Sequence, residues 1–417
     1  ACAEGAGSCL GGACCAGCWS GRVCEVGTAV AACGVGGDEC EPCGGATPYC
    51  DSGCVGPRPV AELAIMAESA CAVATDGTIW CWGANGSGQL GVGTLGADTE
   101  STMPVRVGAD SDWQHAGGGD GHMCGIRADG TLWCWGDNMD GQLGSGDLTS
   151  RAVPVRVGDV GPWELVVGGN GGDHTCALRD DGSLWCMGQA DYGQLGIGPS
   201  GDRTTPTQVL MGTTWIAVAA GHHFTCGIQT GGSLWCWGEN TQGQLGNGTP
   251  STTRIHVPEQ VGADTDWTAI TGGDSHACGV RAGGELYCWG SSVDAQLGIG
   301  STTPQPLPTR VGTASTWAQV SAGLAHTCAI QSDGSLWCWG KNDAGQLGLD
   351  RTGADVSAPE RVGTRTDWRQ VQTGDAFTCA VRTGGSAYCM GANLLGQLGQ
   401  GDRITRTTPT EVRVPRP

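Results

Sequence analysis

The stretch from Cys328 to Gly348, CAIQSDGSLWCWGKNDAGQLG, recurs in near copies along most of the chain, and this repetition constrains the fold more than any other feature. Six further copies start at Cys71, Cys124, Cys176, Cys226, Cys278 and Cys379, with a period of about fifty residues. Each runs through an LWCWG-type segment into a closing Gln-Leu-Gly. A unit of this size cannot bury its apolar face alone, so neighbouring units must pack on one another in a single array. The 417 residues therefore read as one large repeat body preceded by a different segment.

Each unit opens as a β-hairpin. In CGIRADGTLWCWG (Cys124 to Gly136) two apolar, β-prone runs flank Asp129-Gly130. A three-residue loop, Ala128 to Gly130, puts Gly130 at the left-handed position of a type I turn with a G1 bulge. Arg127 then faces Thr131, Ile126 faces Leu132 and Cys124 faces Cys134. The same spacing pairs Cys71 with Cys81, Cys176 with Cys186, Cys226 with Cys236, Cys278 with Cys288, Cys328 with Cys338 and Cys379 with Cys389. Facing cysteines at a non-hydrogen-bonded site come close enough to bridge. Closing so short a loop stabilises by roughly 2 to 3 kcal/mol on chain-entropy grounds. A metal site is the weaker rival, because two thiols supply only half a tetrahedral set.

Cysteine usage bears on the compartment. Of 25 cysteines, 14 lie in the repeats and 11 before Cys71, a density that points to an oxidising setting, extracellular or at a cell surface. No signal-peptide pattern and no apolar run of about eighteen residues is present, so the chain reads as the mature form of an exported protein. A net charge of −20 with Lys341 as the single lysine argues against nucleic acid or an anionic membrane as a partner. The 77 glycines sit at fixed places in the repeat and mark turns and close packing.

Residues 1–56 form a cysteine-rich module with too little aliphatic content for an ordinary core, and bridges are expected to hold it. Cys15 with Cys18 and Cys40 with Cys43 have CxxC spacing, which also suits zinc or a redox centre. Eleven is odd, so one thiol is expected to be free, intermolecular or modified. The run CCAGCWSGRVC and the spaced cysteines after Cys33-Gly34 resemble modules at the front of some secreted or lipid-anchored bacterial surface proteins. Ala1-Cys2 resembles the end of a lipoprotein cleavage site, which makes Cys2 the candidate for an intermolecular bridge or for lipid, and a membrane a partner only through such an anchor. Gly56 to Pro59 reads as a stiff linker.

Residues 57–417 follow one grammar: a Pro-x-x-Val strand, Gly, a polar turn, Trp, an apolar strand, a bend, the hairpin and QLG. Leu132 and Cys134 lie on one face of their strand and Trp133 and Trp135 on the other, so the strand is expected to be buried on both sides between stacked sheets. Four short strands per unit in seven units is the pattern of an all-β, seven-bladed propeller. Pro-x-x-Val strands begin at Pro104, Pro154, Pro206, Pro258, Pro308, Pro359 and Pro409, the last with no hairpin after it. The C-terminal strand 409–414 is therefore expected to complete the first blade and close the ring.

The QLG signatures at Leu90, Leu143, Leu195, Leu245, Leu297, Leu347 and Leu398, the DG or GG turns and the WG ending the third strand make residues 60–417 similar to the regulator of chromosome condensation repeat family. The resemblance implies a seven-bladed propeller. Family members do unrelated jobs, among them nucleotide exchange on a small GTPase, ultraviolet sensing and inhibition of β-lactamases, so the fold alone does not assign a function. The cysteine pairs depart from the family pattern, and the first repeat departs further, with Val60 in place of Trp and Ser69 where other repeats carry His.

Little in the chain suggests chemistry. His122, His174, His276 and His326, two residues before a hairpin cysteine, could ring the pore, with Asp120, Asp173 and Asp274 close by. Phe224 and Phe377 take the same place in other repeats, so a structural histidine at a bend is the expected role. Asp110 with Asp112 and Asp264 with Asp266 could hold calcium weakly, although such residues more often make turns. No cofactor is expected, and no nucleophile elbow, phosphate loop or HExxH occurs, so the chain is not read as an enzyme. Asn85-Gly-Ser87 and Asn247-Gly-Thr249 match the glycosylation acceptor pattern.

What varies is the stretch between QLG and the next Pro-strand, such as residues 92–103, 197–205 and 350–358, expected to emerge on one face. Two readings follow. One is a structural protein that assembles with copies of itself into a surface structure or filament. The other is a capture module that binds or inhibits a secreted enzyme, or holds a protein or glycan ligand, through these loops.

Overall fold

The computed structural model describes residues 57–415, apart from 97, 159, 160 and 170. The expectations for residues 1–56, including the CxxC pairs and the fate of Cys2, lie outside the described residues. The repeats form seven four-stranded antiparallel sheets, each built from four strands consecutive in the chain. Blade 1 has the strands Val60–Ile65, Ser69–Ala74, Ile79–Gly83 and Ser101–Arg106. Blades 2 to 7 follow at 113–156, 163–208, 215–260, 267–310, 317–361 and 368–412. First strands of successive blades touch one another around the ring, and that of blade 1 touches blade 7, so these strands are innermost.

The hairpin register is the expected one. Cys124 faces Cys134 and Ile126 faces Leu132, while the Arg127 amide donates to Thr131 O and Gly130 has φ +75°. Asp129 Oδ1 accepts from the Thr131 amide and hydroxyl, and Thr131 Oγ1 accepts in turn from Trp133 Nε1, so the turn also orients the first Trp of the strand. The seven cysteine pairs are fully buried with their sulfurs 2.00 to 2.11 Å apart, at disulfide distance in every blade.

Closure differs from the expectation. The Pro-strand pairs with the hairpin before it, as Trp80 with Arg106 shows, and is the outer strand of that same blade. Arg406–Val412, which carries Pro409, accordingly pairs with Ala387–Gly391 in blade 7 and not with blade 1. The first blade is already complete, because Val60–Ile65 supplies its inner strand without the marker Trp. The ring closes by packing. Gln370 Oε1 accepts from the Leu63 amide and its Nε2 donates to Leu63 O, while Val60, Leu63 and Trp82 share a core with Phe377, Val412 and Val414.

The core is seven such slabs, one at each seam between blades. The QLG signature is a seam element. Gln194 O accepts from Trp237 Nε1 and from Thr225 Oγ1, both in the next blade. The glycine after it must be small: at Gly144, φ +65°, a Cβ would lie 2.2 Å from Met187 Sδ of the next blade. The segment at 350–358, expected as loop, is largely strand Gly353–Arg361, because the third strand of that blade runs on to Asn342 and pairs with Gly353.

Candidate interaction face

Antiparallel order puts the bends between first and second strands and the QLG loops on one face, the bend face, and the hairpin turns on the other. The bends hand hydrogen bonds from blade to blade around the central channel. The amides of Asp120, His222, Asp274 and Asp375 donate to Gly172 O, Gly273 O, Gly323 O and Ala67 O of the following blade at 3.0 to 3.3 Å. This relay sets side chains from different blades around one channel mouth.

Beneath the mouth lies a buried polar ring. His122, His174, His276 and His326 have no exposed surface, and their Nε2 atoms lie 2.7 to 2.9 Å from the hydroxyls of Thr175, Thr225, Thr327 and Thr378 in the next blade. Each threonine hydroxyl donates to the carbonyl of a QLG glutamine, Gln142, Gln194, Gln296 or Gln346. The hydroxyl proton is thereby committed, so Nε2 carries the imidazole proton and donates it. Nδ1 then has no partner in any of the four. Burial pushes these histidines down, His122 and His276 to about 4 and His174 and His326 to about 3, which keeps them neutral. Where a blade carries Phe224 or Phe377, the next blade carries Ala277 or Ala70 in place of threonine. These histidines are structural, as their exchange with Phe implied, but each latches a seam between blades, and that role and its partner were not foreseen.

The mouth itself is different. Burial, with Asp120, Asp140 and Asp137 nearby, pushes Asp173 up to about 6. Burial, with Asp120, Glu68 and Asp274 nearby, pushes Asp375 up to about 6, and one oxygen of Asp375 is buried without a hydrogen-bond partner. Asp120 is raised for the same reasons, burial first and then Asp137. Blade 4 answers with a pair of histidines. His222 is raised by its 2.9 Å bond to Asp274 and stacks on His223 at 3.7 Å. His223 stacks on Tyr192 at 3.7 Å, and Arg254 covers Tyr192 at 4.6 Å. The sequence reading missed His222 and His223; the doublet replaces the Asp-Gly found at blade 2's bend, Asp120-Gly121, and that break in the repeat was the available signal.

The other candidates are accounted for structurally. Asp264 and Asp266 bind Arg281 at 2.9 and 2.7 Å, and Arg127 pairs with Asp110 and sits 3.9 Å from Asp112. These carboxylates hold guanidinium groups against Trp113 and Trp267, so the weak calcium expectation is not supported there. Among the described residues no cluster of three or more His, Cys, Asp or Glu side chains is arranged to hold a metal. Asn85 is buried with its amide bonded to residues 94 and 99, so it cannot carry a glycan in this fold.

The architecture defines a seven-bladed propeller whose QLG loops lock each blade to the next. Residues 164–416 match the RCC1-like domain, and 76–126 and 129–178 match the regulator of chromosome condensation (RCC1) repeat. The chain belongs to this RCC1-like family. It is 30% identical over 225 residues to the ultraviolet-B receptor UVR8 of Arabidopsis thaliana, covering 54% of this chain and 51% of that protein. It is 32% identical over 153 residues to the mitochondrial RCC1 domain-containing protein RUG3 of the same plant, covering 36% of this chain and 34% of that protein. The chain thus spans about half the length of these relatives or less. The fold is similar to that of Prp20p from Saccharomyces cerevisiae, with TM-score 0.74 and 21% identity over 82% of this chain and 87% of that one.

Proposed function

We propose that this chain is a non-catalytic interaction propeller, oxidised and working outside the reducing cytosol, that captures another protein on its bend face. The observation that carries the reading is the channel mouth, where Asp173 and Asp375 are held ionised at neutral pH against burial and the repulsion of neighbouring carboxylates. A raised carboxylate is a cost to folding, roughly 1 to 3 kcal/mol for shifts of this order. Groups that oppose folding at the rim of a rigid scaffold are where binding is sought. Prp20p binds Gsp1p and histones, which supports protein interaction as the class of function.

Capture is favoured over self-assembly, because a chain of charge −20 opposes close stacking of its own copies. Light scattering of the purified chain across salt and concentration tests this, and a single monomeric species is expected. Particles that grow with concentration would replace capture with the filament reading. Oxidation is tested by peptide mapping without reduction: Cys71 is expected joined to Cys81, and so on through Cys379 with Cys389. Free thiols at these positions would contradict an oxidising site of action.

A further inference from the structure

The bend face is not uniform around the ring. At the tip of the loop before QLG, blades 2 and 7 present Met139 and Leu394, 71% and 73% exposed. The equivalent residue is Asp191, Thr241 and Asp343 in blades 3, 4 and 6, and Val293 alone is apolar in the far sector. The loops after QLG repeat the asymmetry, with Leu148 in blade 2, Leu95 in blade 1 and Ile404 in blade 7 between 53% and 62% exposed.

These tips belong to adjoining blades and their loops are tied together. The Gly401 amide of blade 7 donates to Thr102 O of blade 1, and the Gly93 amide of blade 1 donates to Ala152 O of blade 2, each at 2.8 Å. Arg403 beside Ile404 pairs with Glu100 of blade 1. A Cβ on Gly88 would touch both Leu95 and Ala152, so the blade 1 loop lies against blade 2. The apolar residues therefore form one sector over blades 7, 1 and 2, of the kind that marks a contact surface when it stands in water.

The inner margin of that sector is acidic. Asp140 follows Met139 and feels Asp202, Asp137 and Asp191 beyond its own burial. Glu68 of blade 1, Asp120 of blade 2 and Asp375 of blade 7 stand at the mouth, and Asp375 feels both of the others. Arg254 and His222, the basic groups of the stacked ladder, are in blade 4, across the channel. The apolar sector thus faces carboxylates with no guanidinium or ammonium among the mouth residues of its own blades. A like-charged copy of this chain does not complement such a surface, and an uncharged apolar ligand leaves the carboxylates uncompensated.

We infer that the bend face over blades 7, 1 and 2 docks a segment of another protein that carries both basic and apolar side chains, the cations over the mouth and the apolar groups on the tips of Met139, Leu148, Leu394 and Ile404. The inference rests on the capture reading and names its partner by chemistry. A cation at the mouth offsets the burial and the neighbouring carboxylates that now raise Asp173 and Asp375, so part of the binding energy comes from relieving a cost already present in the free protein. The carboxylates take up protons as pH falls through about 6, so the segment is released in mild acid. His222, raised by its bond to Asp274, faces the mouth from blade 4, and its protonation lowers the negative field in the same direction; His223 lies beside it, bonded to Glu239.

Fluorescence anisotropy with two labelled synthetic peptides of equal length and charge, one alternating Lys with Leu and the other Lys with Ser, tests the inference. The parent is compared with Met139→Ser/Leu394→Ser and with Asp120→Asn/Asp375→Asn, each checked for an unchanged melting temperature or a higher one. The Lys–Leu peptide is expected to bind at least about fivefold more tightly than Lys–Ser, and each double variant to lose about fivefold or more for Lys–Leu. The tip variant should bring the two peptides together in affinity, and the mouth variant should flatten the pH profile. Equal affinity for the two peptides, or variants that bind like the parent, would overturn the inference while a monomeric chain leaves the capture reading standing. A dimer dispersed by Met139→Ser/Leu394→Ser would make a second copy the occupant and overturn both.

Discussion

Two polar rings lie one above the other at the channel, and they obey different rules. The buried ring of His122, His174, His276 and His326 repeats from seam to seam with the same threonine and the same glutamine carbonyl. Where histidine is absent at blades 4 and 7, Phe and Ala fill the space together. In the mouth ring of Glu68, Asp120, Asp173, His222, Asp274 and Asp375, four residues share a repeat position but no matched side-chain partner recurs from seam to seam, and burial with neighbouring carboxylates raises Asp173 and Asp375. A polar group that recurs with a matched partner belongs to the fold. One that has no recurring partner and opposes folding is the better candidate for binding.

Acid should separate the two rings most strongly. A latch histidine is neutral in the fold, at about 3 to 4, against 6.5 when unfolded, so its contribution is complete above pH 6.5 and is lost as pH falls below that value. The limiting slope is about 1.4 kcal/mol per pH unit for each latch. Asp173 and Asp375 work the other way, since protonation as pH falls through about 6 removes their cost. Four latches outweigh two carboxylates, so denaturant midpoints are expected to drop between pH 6.5 and 4. A midpoint that is flat or rises over that range would show that the latches do not titrate as buried groups.

A single latch gives the next largest effect. Thr378→Ala leaves His326 Nε2 buried without an acceptor and is expected to lose about 1 to 3 kcal/mol by denaturant unfolding. The pair His326→Phe/Thr378→Ala copies the seam of Phe224 with Ala277 and should recover most of that loss. If the pair is no more stable than Thr378→Ala, seam chemistry is not transferable between blades.

Much of this was legible in the sequence. The ten-residue cysteine spacing and the DG turn determine the hairpin register, because a three-residue loop leaves one pairing open. The seams were harder to read. A repeat shows what each unit contains but not which unit a strand hydrogen-bonds to, and the Pro-strand before Trp113 looks like the start of blade 2 although it ends blade 1. The latch partners were hidden for the same reason. His122 sits beside Met123 in the chain, while its partner Thr175 is one repeat away. Reading the doublets across neighbouring repeats, His with Thr and Phe with Ala, would have exposed it. The mouth was obscured because Asp120 and Asp375 stand four residues before their hairpin cysteines and Asp173 three before its own, and they converge only once the ring is closed.

The most direct test of the account is the melting temperature of Asp173→Asn/Asp375→Asn against the parent as a function of pH. Both carboxylates sit near 6 in the fold against an ordinary 3.8, so their cost is full above pH 6 and gone below about 3.8. The account predicts that the double variant melts higher than the parent at pH 7.5, and that the gain shrinks as pH falls through 6 towards 4. A variant that melts with the parent or below it at pH 7.5 would show the mouth carboxylates to be ordinary parts of the fold, and the distinction between the two rings would fail.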